Sequence, residues 1–428
     1  MSSQLPETPA GELSAALAPT TSSVRSRTGI PRYAAGLALA GLGWIIPFTG
    51  VSGVLIPARL AVLDPVNKVP LVAAIIAIGA LTAMITNVIF GNLSDRTRSR
   101  LGSRSPWIVI GAILAAVGLA LLSTATTVPL LILWWAVSQA GINAVGAALI
   151  ASIPDRVPNA RRGTVSAVYG GAQLLGGTIG SIVAASFISN PTTGFLVFAV
   201  IALVLPITFL VTAPDFSNRD VAKEPINAGA IARSFAFPRN APDFYFALFS
   251  RLVILLGYNA VGGYQLYVLT DYMGLDPVAA GGVITQASLL TLVAAFAGAF
   301  VFGPLSDKFK RRKPVVITGA LLMAVGLAVL LIAAAPWAFL VFAVAGGLGL
   351  GIFLSVDAAL LSEVLPNEET RGKDLGILNL SGAAGQVLAP AVSAAIIAVG
   401  LGFAPVFIAG AALTVLGAAL VAPIKKVR

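Results

Sequence analysis

Twelve apolar runs, each about 20 residues long, divide this chain and leave it few ways to fold. A run of that length crosses a ~30 Å hydrocarbon core as a helix, where every backbone N–H and C=O must find its partner inside the segment. Composition agrees, with 57% of residues hydrophobic and 10% charged. The surface of an ordinary soluble domain calls for about 25% charged residues. The expected fold is an all-α membrane protein.

Cysteine and histidine are both absent. That removes disulfides, thiol nucleophiles, Cys or His metal sites and imidazole acid–base chemistry. No metal and no cofactor are expected. A membrane enzyme would have to draw its catalytic groups from the loops, so the chain is not expected to be an enzyme.

The net charge of +10 does not point to nucleic acid, because the basic residues sit in short clusters between apolar runs. If the N-terminus is inside, all but three of the 27 Lys and Arg residues fall in the tails and inner loops; the exceptions are Arg59, Lys68 and Arg251. The positive-inside rule then places both termini in the cytoplasm. Residues 1–32 read as a disordered cytoplasmic tail without a signal peptide. A six-span bundle is expected over 33–213, a polar cytoplasmic linker over 214–242, a second bundle over 243–422 and a short tail over 423–428. A short amphipathic helix is expected around 228–237. The composition suits a multi-pass protein of a bacterial plasma membrane.

The chain also repeats itself. GNLSDRTRSR at 91–100, followed by PWIVIGAILAAVGLALL at 106–122, is echoed by GPLSDKFKRR at 303–312 and KPVVITGALLMAVGLAVLL at 313–331. IPDRVPNARRG at 153–163 is echoed by LSEVLPNEETRG at 361–372. Each pair lies in the same connection of its own half, as duplication requires.

These motifs resemble the major facilitator superfamily. Gly91, Ser94, Asp95, Arg96, Arg98, Arg100 and Arg104 match its signature between spans two and three, and Gly303, Ser306, Asp307, Lys308 and the basic residues at 310–313 match a second copy. Asp155 with Arg162, and Glu363 with Arg371, resemble the acid–arginine pattern after the fourth span of each half. The loop motifs further resemble those of glycoside–pentoside–hexuronide and sucrose–proton symporters. The resemblance implies two pseudo-symmetric six-helix bundles, alternating access, and a small-molecule substrate bound between the halves. It also implies an inner-surface gate of Gly91, Asp95, Arg96, Arg104, Asp155, Arg162, Gly303, Asp307, Lys308, Glu363 and Arg371. The signature acids are expected at loop–helix junctions, where charge clusters latch the halves while the cavity opens outward.

Charges inside spans are costly and usually face the cavity or each other. Arg251 and Asp357 lie at matching depths on spans seven and ten, and are expected to face one another. Burial favours a neutral Asp357 and the arginine favours a charged one. That competition makes Asp357 the candidate for a carried proton, with Arg251 as its partner; the alternative is a structural lock. In the family resembled, the first and fourth helices of each half line the cavity. Trp44 on span one, Trp135, Gln139 and Asn143 on span four, Tyr169 and Gln173 on span five, and Tyr258, Asn259, Tyr264 and Gln265 on span seven are candidate substrate ligands. Rings stack on sugar C–H faces and amides bind hydroxyls; the competing reading is that such residues glue helices or anchor at interfaces. Sodium binding through early acidic residues is not expected, since the apolar runs of the first half hold no Asp or Glu. The expected function is proton-coupled uptake of a sugar or glycoside by a monomer in the lipid bilayer. Export of hydrophobic drugs or metabolites is the alternative, and a membrane enzyme a remote one.

Overall fold

The computed structural model describes residues 28–219, 237–238, 240–366, 371–425 and 427, and not the side chains of Ala358, Arg371 and Gly372. The helix expected near 228–237 and nearly all of the tail expected over 1–32 lie outside the described residues. Among the described residues twelve helices are long and apolar enough to span a membrane. The first six are α1 (Ile30–Leu63), α2 (Lys68–Arg96), α3 (Ser105–Leu122), α4 (Val128–Arg156), α5 (Asn159–Ala185) and α6 (Pro191–Thr212). The second six are α7 (Pro242–Tyr272), α8 (Pro277–Phe309), α9 (Arg312–Val329), α10 (Pro336–Glu363), α11 (Lys373–Leu401) and α12 (Ala404–Val421). With an even number of spans, the start of α1 and the end of α12 share one face of the bundle, here called the terminal face; the other is the distal face.

Local chemistry sets these ends. Proline occupies the first turn of α1, α3, α4, α6, α7, α8, α10 and α12, where its missing N–H has no helical acceptor to lose. Asp276 caps α8 by accepting from the amides of Val278 and Ala279 at 2.9 and 3.0 Å, and Asn190 caps α6. Helix α1 begins at Ile30, inside the expected tail, with Pro31 in its first turn.

At the other ends, α2 and α8 run on to Arg96 and Phe309. Asp95 and Asp307 therefore stand in last helical turns, not at loop junctions. The i to i−4 backbone bonds that carry a helix forward need no apolar side chain, so hydropathy underestimates such ends. A carboxylate there meets the negative end of the helix dipole and needs a cation.

Each six-helix set repeats one packing scheme. Helix α1 packs on α5 and α6, α3 on α4 and α6, and α2 on α4; in the same way α7 packs on α11 and α12, α9 on α10 and α12, and α8 on α10. The sets meet chiefly through α5 with α8 and α2 with α11. Glycine permits the closest approaches, as small residues do between membrane helices. A Cβ on Gly351 of α10 would overlap the backbone carbonyl of Ala295 on α8, and one on Gly141 of α4 would overlap the backbone of Ala115 on α3. Gly351→Leu is expected to push α8 and α10 apart at a cost of about 1–3 kcal/mol. It should lower the melting temperature of the purified protein, whereas Gly91→Ala, whose Cβ meets nothing within 4 Å, should leave it unchanged.

Helical regularity fails in three spans. Helix α1 has a π turn at Val51–Leu55, and α11 one at Ile397–Leu401. Helix α7 is regular to Asn259, tightens to a 3-10 turn at Gly262–Tyr264 and ends in a π turn at Val268–Tyr272. Such breaks persist at membrane depth only where protein or a cavity satisfies the backbone. Those of α1 and α7 meet each other.

Candidate functional site

At the distal face the two sets are sewn together across α1, α2 and α7. Gln265 Nε2 donates to the Gly53 carbonyl at 3.3 Å, and the Tyr267 hydroxyl to that of Pro57 at 2.9 Å. The Tyr264 hydroxyl reaches the carbonyls of Val69 on α2 and Pro390 on α11 at 3.2 and 2.9 Å. Of these acceptors Gly53 lies in the π turn of α1. Lys68 Nζ closes the seam, 2.7 Å from Asp271 Oδ2 and 4.7 Å from the centre of the Tyr267 ring. Among the described residues this is the one ion pair that crosses between the sets.

The terminal face is different, for there the ion pairs knit each set to itself. Arg104, just before α3, donates Nε to Asp155 Oδ2 at 2.9 Å and Nη1 to Ser94 Oγ at 2.8 Å, and pairs with Asp95. Burial opposes its charge, but the hydrogen bonds and charges of Asp155 and Asp95 outweigh that, and its pKa is raised. The second set repeats the motif: Arg312 Nε lies 3.0 Å from Glu363 Oε1. Arg104 and Arg312 each stand two residues before the proline that opens the third span of their set. The copy is incomplete, however. Arg312 Nη1 and Ser306 Oγ are buried without partners, and Asp307 is exposed.

The other signature residues have distinct placements. Arg96 is half-buried at the end of α2, and Lys308 is exposed. Gly91 faces open space, and Gly303 lies near Ser355. Arg162 does not join the Arg104 cluster. It donates to the carbonyls of Pro154 and Val157 at 2.8 and 2.9 Å, covering acceptors that the end of α4 leaves free. The Arg371 side chain lies outside the described residues.

Within the spans, the candidate ligands separate into several groups. Trp44 Nε1 donates to the Tyr169 hydroxyl at 3.0 Å, linking α1 to α5, and Gln173 stands near the same hydroxyl. On α4, Asn143 Nδ2 donates to the Gln139 carbonyl at 2.8 Å, while Asn143 Oδ1 accepts from Asn87 on α2 at 2.9 Å. Trp135 is 1% exposed and packs, with Gln139, against Gly79 of α2, inside the helix seam. Tyr258 lies against Gly346 of α10, and Asn259 Nδ2 bonds back to the Leu255 carbonyl at 2.8 Å. Tyr264 and Gln265 belong to the distal seam, because the 3-10 turn rotates them out of register with the first part of α7.

Arg251 and Asp357 meet. Nη1 of Arg251 lies 3.3 Å from Asp357 Oδ2 and donates to Asn379 Oδ1 on α11 at 3.1 Å. Among the described residues the first set has no such pair within its spans. Leu149, which precedes Asp155 by six residues as Asp357 precedes Glu363, is apolar and buried.

Sequence reasoning passed over Lys68, Asp271 and Tyr267, Asn87, Asn379, and the pair Arg156–Asp215. The signal for Arg312 was present in its matching distance from a span-opening proline. The partners across helices left no local signal.

The sequence profile of the Major Facilitator Superfamily matches residues 34–298 and 247–427. The multidrug resistance protein MdtH of Shigella dysenteriae serotype 1 is 29% identical over 144 residues, 34% of each chain, and that of Yersinia pestis (strain Pestoides F) is 30% identical over the same share. The matched stretch thus spans about a third of the length of these curated relatives. Among solved structures, that of a mutant of the nucleoside transporter NupG shares the fold, with a TM-score of 0.71 at 14% identity, over 92% of this chain and 100% of that one. Twelve spans in two sets of one packing scheme, the twice-built arginine–acid pair, and a profile covering nearly the whole length lead to one family: the chain belongs to the Major Facilitator Superfamily.

Proposed function

We propose that this protein takes up a sugar or glycoside together with a proton, by alternating access, with the terminal face in the cytoplasm. The observation that carries the reading is the Arg251–Asp357 pair. It is an ionisable couple inside the spans of α7 and α10, beside the amide of Asn379, and intramembrane charges of this kind mark ion and proton pathways. The amide, hydroxyl and ring groups of α1, α2, α4 and α5 supply hydrogen-bonding and stacking partners for a hydroxylated solute. The closed distal seam, with ion pairs confined within each set at the terminal face, corresponds to an inward-facing state. In the outward-facing state the Arg104 and Arg312 clusters come together across the halves.

The test is uptake by proteoliposomes under an inward proton gradient, with labelled sugars and glycosides set against a lipophilic cation such as ethidium. Gradient-driven accumulation of one sugar group, abolished by a protonophore, is the expected result. The likeness to MdtH, named for multidrug resistance, favours export as the second reading. Proton-driven movement of ethidium alone would establish export and overturn the sugar reading.

The distal latch gives a separate prediction. An exposed ion pair and a cation–π contact each contribute roughly 0.2–1 kcal/mol. Lys68→Gln should therefore raise the outward-open population by about two- to thirtyfold. Because the chain has no cysteine, spin-label pairs introduced across the distal face report this directly, and an unchanged distance distribution would remove Lys68 from the gate.

A further inference from the structure

The charge balance at Arg251 reaches further than proton carriage. Nη1 is shared between Asp357 and Asn379, at 3.3 and 3.1 Å, both longer than the 2.7–2.9 Å typical of a charge-assisted bond. Nε is buried with no partner. Beside it stands Gly382 of α11, where a Cβ would come within 2.8 Å of Nε; the glycine lets α11 pack directly on that edge, and the 15% of the Arg251 side chain that stays exposed lies elsewhere on it. A guanidinium presents paired donors that fit a planar carboxylate in bidentate fashion, and Asp357 fills only part of that capacity.

The surroundings make the pair self-contained. Arg251 is the charged group that acts on Asp357. Helix α8 and helix α9, which pack on α10, bring no charged side chain to Asp357 among the described residues, the Arg312 of α9 pairing instead with Glu363, and α11 brings the neutral Asn379 to Arg251. Lys373 and Asp374 lie 3.6 Å from each other at the start of α11. When Asp357 takes a proton on its carboxylate, Arg251 is left as an uncompensated cation within the spans, which is costly in low dielectric. An anion at the same guanidinium removes that cost.

We infer that Arg251 is the binding site for a carboxylate group of the substrate, and that Asp357 occupies this site as an internal counter-ion until it is protonated. The inference rests on the reading of Asp357 as the proton carrier. The cargo is then an acidic sugar or glycoside with one carboxylate, entering with one proton so that the pair moves no net charge. Asp357 and the substrate carboxylate are alternative partners of one cation, so each loaded carrier holds a proton and an anion, and each empty carrier holds neither.

Formate, the smallest carboxylate, tests this without requiring a shaped pocket. The full-length purified protein is titrated with sodium formate near neutral pH, reading its melting temperature and the protons taken up from a weakly buffered solution. Wild type should be stabilised and take up protons, up to about one per site by linkage. Asp357→Asn, neutral at that position, should bind formate roughly tenfold more tightly with no proton uptake. Arg251→Gln should lose the response, and Arg251→Lys, which keeps the charge but not the paired donors, should retain it in weakened form.

Formate stabilisation that is absent from wild type and Asp357→Asn alike, or that is the same in Arg251→Gln, overturns the carboxylate site. Arg251-dependent binding without proton uptake in wild type overturns the exchange and, with it, the role of Asp357 as the carrier. If the site fails but wild type still accumulates solute on a proton gradient and Asp357→Asn does not, the carrier reading stands by itself.

Discussion

Asp357→Asn is expected to abolish proton-driven accumulation while sparing exchange. A gradient of one pH unit stores about 1.4 kcal/mol per proton, enough for roughly tenfold accumulation at one proton per solute. Asparagine keeps the shape of the protonated acid but has no proton to release, so the variant should equilibrate its solute across the membrane and stop there. Counterflow between two loaded sides should continue, since the neutral form is the one that moves with cargo. The measurement is labelled-solute uptake in proteoliposomes with and without an imposed gradient. Accumulation at the wild-type level would reduce the pair to a lock between α7 and α10. The variant is expected to melt lower, since the Arg251 charge is left with Asn379 as its partner; a folded protein at the assay temperature, with counterflow intact, separates lost coupling from lost folding.

Arg156→Ala should give the largest stability loss. Arg156 Nη2 lies 2.7 Å from Asp215 Oδ1, with side-chain exposures of 6% and 12%; the contact is off the hydrogen-bond axis and chiefly electrostatic. Nη1 donates to the Ala213 carbonyl at 2.6 Å at the end of α6, and the guanidinium lies 5.6 Å from the Phe209 ring centre. Removing one member of a buried pair leaves the other charged and desolvated, at a cost of about 3–5 kcal/mol. Asp215 keeps hydrogen bonds from its neighbour's amide and from the Arg104 amide, at 2.9 and 3.3 Å, which favours the lower end. A melting temperature that falls by several degrees is the expected outcome. The double variant Arg156→Met with Asp215→Leu should recover much of it, since no charge is then stranded; a full-size loss there would mean that the carbonyl contacts, not the charges, hold α4 to α6.

Both predictions concern residues that the sequence marks differently. Asp357 and Arg251 stand out because charge inside an apolar run is rare, and their helical depths can be counted from the nearest end. Arg156 is one basic residue among many beside a membrane boundary, where topology alone explains a positive charge. Its partner Asp215 lies two helices later, so nothing local announces the pair.

The twelve spans, the duplication and the superfamily are legible in the chain without coordinates, because hydropathy and short repeated motifs are local properties. Arg104 and Asp155 are marked in the same way, through their recurrence as Arg312 and Glu363. Which polar side chains meet is a matter of packing. Trp135 turns into the seam with α2, Tyr264 and Gln265 turn to the distal closure, and Arg162 turns to the end of its own neighbouring helix. Each outcome follows from helix rotation, from the π and 3-10 turns of α1 and α7, and from glycines that set how closely helices approach. The closed distal face likewise depends on Lys68 and Asp271, which are far apart in the chain and meet only when the two sets pack together.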